Sequence, residues 1–502
     1  MRALAVGIDA GEPTLVRDLI DRGEMPTLRA LLDRGRWAVV DSCADMGEGA
    51  VWPTFFTGSD PSVHQRYSRW CWHPGKMGCV PPDEASLTPF WRSLEQRGAT
   101  VGVFDVPGAP VGSGTDGFDV SEFGPHEIRH GRTRVRGAAA ESVLAGAPLH
   151  PFHDLPYGRG FADDREGKER LAAACVRGAR VRGELAARLI SETSPDVAIV
   201  AFNEVHHGAH QLWHTVDTRC SPADDPDECA LRPDLLDLYR EIDRQIGRIV
   251  ESAGEGTAVL AFSLNGMQPG RGIPTLLDGL LRAQRFAVPS SWRGLSWGRR
   301  ALAAFGGLKR RVPAGVTTAY QRHVGYVMRR RIAQPTIVPP YDWSRTRAFA
   351  LPVTDTRGFI RVNLAGREAR GCVPEHEYEA TCEELESGLR STVNAEGEPI
   401  VADVLRTASE TGAPPCGLPD LIVRWADAAS ARPVRVIAGG AEFESHPTRT
   451  DMTGLRARHG FCIFDERMDV GVDEVVAGRD LHRLLLAPLA EAEQPARTQT
   501  GS

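Results

Sequence analysis

Short apolar runs that end on a polar residue recur along the chain, with longer amphipathic stretches between them. Residues 4–8 (LAVGI) stop at Asp9, residues 100–106 enclose Asp105, residues 196–202 lead into Asn203 and Glu204, and residues 258–262 lead to Leu264 and Asn265. An apolar run of this length without alternation reads as a strand buried on both faces. Residues 37–40 read as a further strand. Residues 14–22, 25–36, 90–97, 170–192 and 235–252 carry apolar residues at helical spacing, and Pro26 suits a helix start. Strands alternating with helices predict an α/β fold with a mostly parallel central sheet and helices on both faces. Such sheets bind ligands beyond the carboxyl ends of their strands. Asp9, Glu204, Leu264 and Asn265 all fall at such ends and are expected to converge.

The pattern divides the chain. Residues 1–281 read as the first part of the core. From 282 to 340 the composition turns to Arg, Gly and Trp (SSWRGLSWGRR, GGLKRR, MRRRIAQ), which predicts a basic helical insertion. Its helices are either solvated charged faces or a cationic lid over an anionic substrate. Strand-like segments return over 341–490 (AFALPV, FIRVNL, LIVRW, VRVIAG) as the second part of the core, and 491–502 read as a disordered tail.

Composition narrows the function classes. The chain has 502 residues, 42% hydrophobic and 25% charged, which suits one large α/β domain with insertions, or two domains. A formal charge of −7 gives no support for a nucleic-acid partner. An apolar run that meets an acid at once is no signal peptide, and no apolar stretch is long enough to span a membrane, so a cytoplasmic protein without a membrane partner is expected. The ten cysteines form no CxxC pair, so no zinc ribbon or thioredoxin-like site is indicated.

Several segments then fall into one register. VGIDAGEP with GEMPTLRALLDRG, VWPTFFTGSDPSVHQRY, FNEVHHGAHQLWH, LYREIDRQIGRIV, VLAFSLNGM, GFIRVNLAGREARGCV and TGLRARHGFCIF run in order over nearly the whole chain. Together they resemble the type I phosphodiesterase/nucleotide pyrophosphatase branch of the alkaline phosphatase superfamily. The resemblance implies an alkaline-phosphatase-like fold. It also implies a Ser, Thr or modified Cys nucleophile and two metals roughly 4 Å apart that stabilise attacking and leaving oxygens.

The positions that the resemblance assigns to that chemistry are largely rewritten. Asp9 stands at a metal-ligand position. The nucleophile position falls at Gly47 or Glu48, and the stretch ADMGEGAVW holds no Ser, Thr or Cys; Ser42 and Cys43 lie too early. Glu48 is a nucleophile, a general base, a metal ligand or an ordinary cap on this reading. Where the family has "SDHGM", Leu264 replaces an aspartate ligand and Asn265 a histidine ligand. Arg456 falls at the last histidine ligand, with His459 close by, and suits a phosphate or carboxylate held bidentately. Gln65 replaces the glycine after His64. Glu204, His206, His210 and His214 are spaced two, four and four apart, so the three histidines share one helical face, a geometry that binds zinc.

Two cofactor states therefore stay open: one zinc or other divalent metal on Asp9, Glu204, His206 and His210, or no metal. The first functional reading is a repurposed, biosynthetic enzyme acting on a small anionic metabolite or nucleotide. Glu48, Asp9, His206 and His210 would do acid–base work there, with Arg456, Asn265 and His214 on the substrate. The alternatives are a catalytically silent ligand-binding pseudoenzyme and a metal-dependent phosphodiesterase with shifted ligands. Oligomeric state is left open.

Overall fold

The computed structural model describes residues 1–83, 86–112, 117–124, 133–154, 164–217, 231, 233–270, 276–290, 338–352, 357–407, 415–426, 434–445, 452–471 and 473–491. Nine strands form the central sheet: β1 (Ala3–Ile8), β2 (Gly35–Asp41), β3 (Val101–Phe104), β4 (Phe118–Ser121), β5 (Arg134–Arg136), β6 (Val197–Phe202), β7 (Ala258–Ser263), β8 (His459–Asp465) and β9 (Val475–Ala477). Their order is β9-β2-β8-β7-β1-β6-β3-β4-β5. The middle, β7-β1-β6-β3-β4, is parallel throughout. β8 runs antiparallel to both its neighbours, and β5 antiparallel to β4.

The unbroken apolar runs follow from burial on two sides. All six residues of β1 are buried. Leu4, Val6 and Ile8 face one core with Ala198, Val200 and Phe202, while Ala3 and Ala5 face the other with Val197, Ile199 and Ala201. A strand alternates its side chains, so two cores demand apolar residues at every position. The first core is closed by helices α4 (Arg165–Thr193) and α6 (Leu235–Ala253). Helices α1 (Pro13–Asp21) and α2 (Pro26–Asp33) also cover it. The second core holds α3 (Glu48–Thr57) and the C-terminal helix Leu481–Glu491. The expected helix over 25–36 is shorter because Gly35 and Arg36 already pair with β8.

A third hydrophobic cluster lies apart from the central sheet. It is built from residues 67–79, 276–287 and 341–438, around an antiparallel sheet ordered Ala348–Leu351, Arg357–Val362, Leu421–Trp425, Val401–Arg406. Its polar centre is the segment GFIRVNLAGRE. Arg361 and Glu368 are fully buried and paired at 2.8 Å, Arg367 pairs with Asp420 at 2.7 Å, and Tyr378 donates to Asp420 at 2.8 Å. Of the segment 341–490, the strands up to residue 445 lie outside the central sheet, and those at 459–477 belong to it.

Residues 291–337, most of the expected basic insertion, and 492–502, most of the expected tail, lie outside the described residues. Among the described residues, no helix is long and apolar enough to cross a membrane.

Candidate active site

The carboxyl ends of β1 and β6 carry the first part of the site. Asp9 follows β1 and is 2% exposed. Trp52, on α3, donates its Nε1–H to Asp9 Oδ1 at 3.0 Å, and His206 Nδ1 lies 2.7 Å from Oδ2. A carboxylate accepts, so Nδ1 of His206 carries a hydrogen and donates it to Asp9. His206 sits in the first turns of helix α5 (Glu204–Leu212), which starts directly after β6.

Arg456 completes this group from the short strand Gly454–Arg456, which pairs with Met267–Pro269 just beyond β7. Its Nη2 is 2.8 Å from both Nδ1 and Nε2 of His206. An atom that close to both ring nitrogens lies over the imidazole face, because in the ring plane it would collide with the carbon between them. The contact is closer than a face-to-face stack, so what it establishes is that the guanidinium lies directly against the His206 ring.

Glu48 enters from the seam between two cores. It opens α3 after Gly47, whose φ of 104° and ψ of 160° suit glycine alone. A Cβ on Gly47 would stand 2.2 Å from the Tyr67 carbonyl oxygen and 2.9 Å from the Phe359 ring. The turn is thus wedged between the chain at 67–68 and the strand Arg357–Val362. Just before it, Asp45 pairs with Arg357 at 2.7 Å and with Arg424 and Arg458 at 3.7 Å. The Glu48 carboxylate is placed between Arg69, 3.4 Å from Oε1, and Arg456, 3.5 Å from Oε2.

Glu204 belongs to a second, separate group. Its Oε1 accepts from Arg182 Nε at 2.8 Å and lies 3.0 Å from His150 Nε2, and Arg182 Nη1 donates to Asp105 at 2.8 Å. Asp105 also accepts from the amides of Phe123 and Gly124. Arg182, His150 and Glu204 are 0–1% exposed. Burial alone would raise the Glu204 carboxyl; the Arg182 charge and the His150 hydrogen bond outweigh it and pull it down to about 2. The expected convergence of strand-end groups therefore splits in two. Asp9 and His206 meet Arg456, whereas Glu204 turns to Arg182.

The three spaced histidines do face one way, along the segment 453–456. His206 meets Arg456, His210 Nδ1 lies 2.9 Å from the Gly454 carbonyl oxygen, and His214 Nδ1 is 3.2 Å from Thr453 Oγ1. His214 is fully buried. Asn265 is 1% exposed and donates to the Gly266 carbonyl, while Leu264 is packed into the core beneath α3. His459 is exposed and lies 3.7 Å from Asp41. Gln65 takes the left-handed conformation, φ 57°, where the resemblance has glycine, and its Oε1 accepts from the Gly417 amide.

This donor set does not fit the metal centre that the resemblance implies. Among the described residues, no three His, Cys, Asp or Glu side chains gather as a metal would need. Glu204 is committed to Arg182 and His150. Both Asp9 oxygens have hydrogen-bond partners. The Arg456 guanidinium covers His206, where a dication would be repelled. The hydroxyl and thiol nearest the nucleophile position are also committed. Ser42 donates to the Arg458 carbonyl at 2.8 Å. Cys43 contacts Thr54, and burial pushes its thiol up to about 12, so it is no thiolate nucleophile. Thr54 in turn lies 3.0 Å from Nε2 of His64, whose Nδ1 accepts from the Arg66 amide. Burial, then the Arg66 charge, pulls His64 down to about 4 and keeps it neutral.

Sequence reasoning missed Trp52, Arg69, Arg182 and His150. Arg182 left a signal: it occupies the apolar stripe of α4 together with Cys175, Ala179, Ala186 and Leu189, and a charge on such a stripe calls for a buried partner. His150 and Arg69 left none.

A model of the type I phosphodiesterase / nucleotide pyrophosphatase family matches residues 3–412. The solved phosphonoacetate hydrolase from Sinorhizobium meliloti 1021, in complex with phosphonoacetate, is similar at 15% identity with a TM-score of 0.50, over 98% of this chain and 95% of that one. Human ectonucleotide pyrophosphatase / phosphodiesterase 5 is similar at 10% identity and 0.45, with the same coverage. No curated protein sequence matches.

Proposed function

The chain belongs to the type I phosphodiesterase / nucleotide pyrophosphatase family, and from that premise we propose that it is a phosphoryl-transfer-fold enzyme turned to metal-independent acid–base chemistry on a small anionic metabolite. The single observation that carries this reading is the Asp9–His206 pair at 2.7 Å with Arg456 Nη2 against the ring at 2.8 Å. Asp9 orients the imidazole and stabilises the imidazolium formed when Nε2 takes a proton. Trp52 holds the carboxylate still. Arg456 anchors the anionic group of the substrate while Arg69 adds to the attraction, and the seat of His206 on α5 fixes base and substrate relative to one another. A biosynthetic step in the cytoplasm suits this chemistry, since the hydrolytic nucleophile and its ligands are replaced and the described cysteines are free thiols.

The test is turnover of a panel of phosphonates, phosphate esters and carboxylates by EDTA-treated protein, scored by mass spectrometry, beside His206→Asn and Asp9→Asn. Loss of about 100-fold or more in kcat for both variants, with EDTA harmless, is the expected result. Hydrolysis of bis(4-nitrophenyl) phosphate that needs added zinc or manganese would refute it.

A further inference from the structure

Arg456 is 7% exposed, yet its Nε–H has no hydrogen-bond partner among the described residues. A buried donor left unused costs free energy, so one placed beyond the carboxyl ends of the parallel strands points to a ligand acceptor. The same guanidinium brings its Nη2 to 2.8 Å from the His206 ring nitrogens and meets Glu48 at 3.5 Å, while Arg69 meets the other Glu48 oxygen at 3.4 Å. Charge-assisted hydrogen bonds of this kind are normally about 2.7–2.9 Å, and an arginine fork would use Nε as well. Glu48 thus neutralises both arginines without filling the fork of Arg456. Exposure falls inward along this row, from 38% at the Arg69 side chain through 13% at Glu48 to 8% at Arg456.

We propose that the Glu48 carboxylate is an internal stand-in for the oxyanion of the substrate. In the resting protein it balances Arg456 and Arg69. A phosphate-, phosphonate- or carboxylate-bearing ligand then takes the Nε–H of Arg456, and Glu48 is left to Arg69 at the rim. This rests on the reading of Arg456 as the anion anchor, and it adds the size of the group recognised: an oxyanion that fits where a carboxylate stands. It also assigns Glu48 a competing role, opposite to that of a ligand-binding or metal-binding acid.

The experiment is calorimetric titration of the full chain with orthophosphate and with malonate. Glu48→Gln is expected to bind one of the two about 10-fold more tightly than the unchanged protein, because both the competitor and its repulsion are removed. Arg456→Gln is expected to lose binding, and Arg456→Lys, which keeps the charge without the fork, to weaken it. Whichever probe gains in Glu48→Gln assigns the phosphate or the carboxylate class. If Glu48→Gln binds both probes no better while Arg456→Gln still loses them, the stand-in is overturned and the anchor survives. If Arg456→Gln and Arg456→Lys both bind like the unchanged protein, the anchor reading fails and the stand-in with it.

Discussion

Glu204→Gln removes a buried charge from Arg182 while keeping the shape of the side chain. Its magnitude can be worked in two ways. The Glu204 carboxyl falls from an ordinary 4.5 to about 2 in the folded protein; at about 1.4 kcal/mol per pH unit this is worth roughly 3 kcal/mol. Breaking one partner of a buried ion pair costs about 3–5 kcal/mol by general experience, which agrees. Because the folded value is depressed, this stability is fully present above about pH 4.5 and is lost as pH falls toward 2. The variant should therefore be less stable by about 3 kcal/mol at pH 7, and the gap should close at low pH. A chain of this size need not unfold in one step, so the suitable assay is hydrogen exchange, read on the amides of β6 and α5. Roughly 100-fold faster exchange there, in protein already treated with EDTA, is the expected outcome. Unchanged exchange would refute the buried network as a source of stability. So would a loss that EDTA alone reproduces in the unchanged protein, since Glu204 would then be serving a metal.

His64 should remain a neutral ring down to about pH 4; its folded value lies below the ordinary 6.5, so its share of stability is lost as pH falls from 6.5 toward 4. Imidazole NMR shifts checked against pH would contradict this by moving near 6.5. Gly47→Ala forces a Cβ against the Tyr67 carbonyl at positive φ, which should cost about 1–3 kcal/mol and shift the turn that carries Glu48. Thermal melting, together with orthophosphate titration, measures both effects. Arg361→Met removes the fully buried partner of Glu368, leaving it Arg367 at 3.0 Å and Trp72 at 2.7 Å, in the core around the strand Arg357–Val362. Exchange should rise on that strand and on Leu421–Trp425, with β1 and β6 unaltered; equal protection in both regions would refute the separation of the two cores.

The central sheet was legible because burial on two faces leaves a mark at every residue. Leu4 to Ile8 and residues 258–262 could hardly be anything but parallel strands, and their ends point to the crevice. The third cluster was less legible, since its strands run antiparallel outside the central sheet and nothing in VRVIAG or LIVRW tells one sheet from another. The site was legible by position and not by partner. Asp9, His206 and Glu48 could be singled out from strand ends and spacing. That His206 would meet Asp9, and Glu204 would meet Arg182, depends on which side of α5 faces β1 and which faces α4. Helical spacing gives the faces of one helix and leaves their neighbours to tertiary packing. The sequence did show Arg456 as a cation at the position of a family metal ligand, but its contact with His206 depends on tertiary packing that no spacing encodes.

The replaced residues make physical sense as a set. Two dications need a dense shell of carboxylates and imidazoles to offset their mutual repulsion. Leu264, where the family pattern has an aspartate, is 1% exposed among Val51, Phe55 and Phe262 of the core beneath α3. Once that position is core, an acid there would be a buried charge without a partner, which costs several kcal/mol. The acids present, Asp9 at its retained position and Glu48 at the nucleophile position, still need positive or hydrogen-bonding neighbours. Arg456 and Arg69 supply them for Glu48, and Trp52 and His206 supply hydrogen bonds for Asp9. Under the proposed function, guanidinium groups take over the positive charge that metals would bring and attract the anion. What they cannot take over is the activation of water, because a guanidinium does not accept a lone pair as a Lewis acid does. Under the proposed function, anion binding rests on Arg456 and proton chemistry on His206.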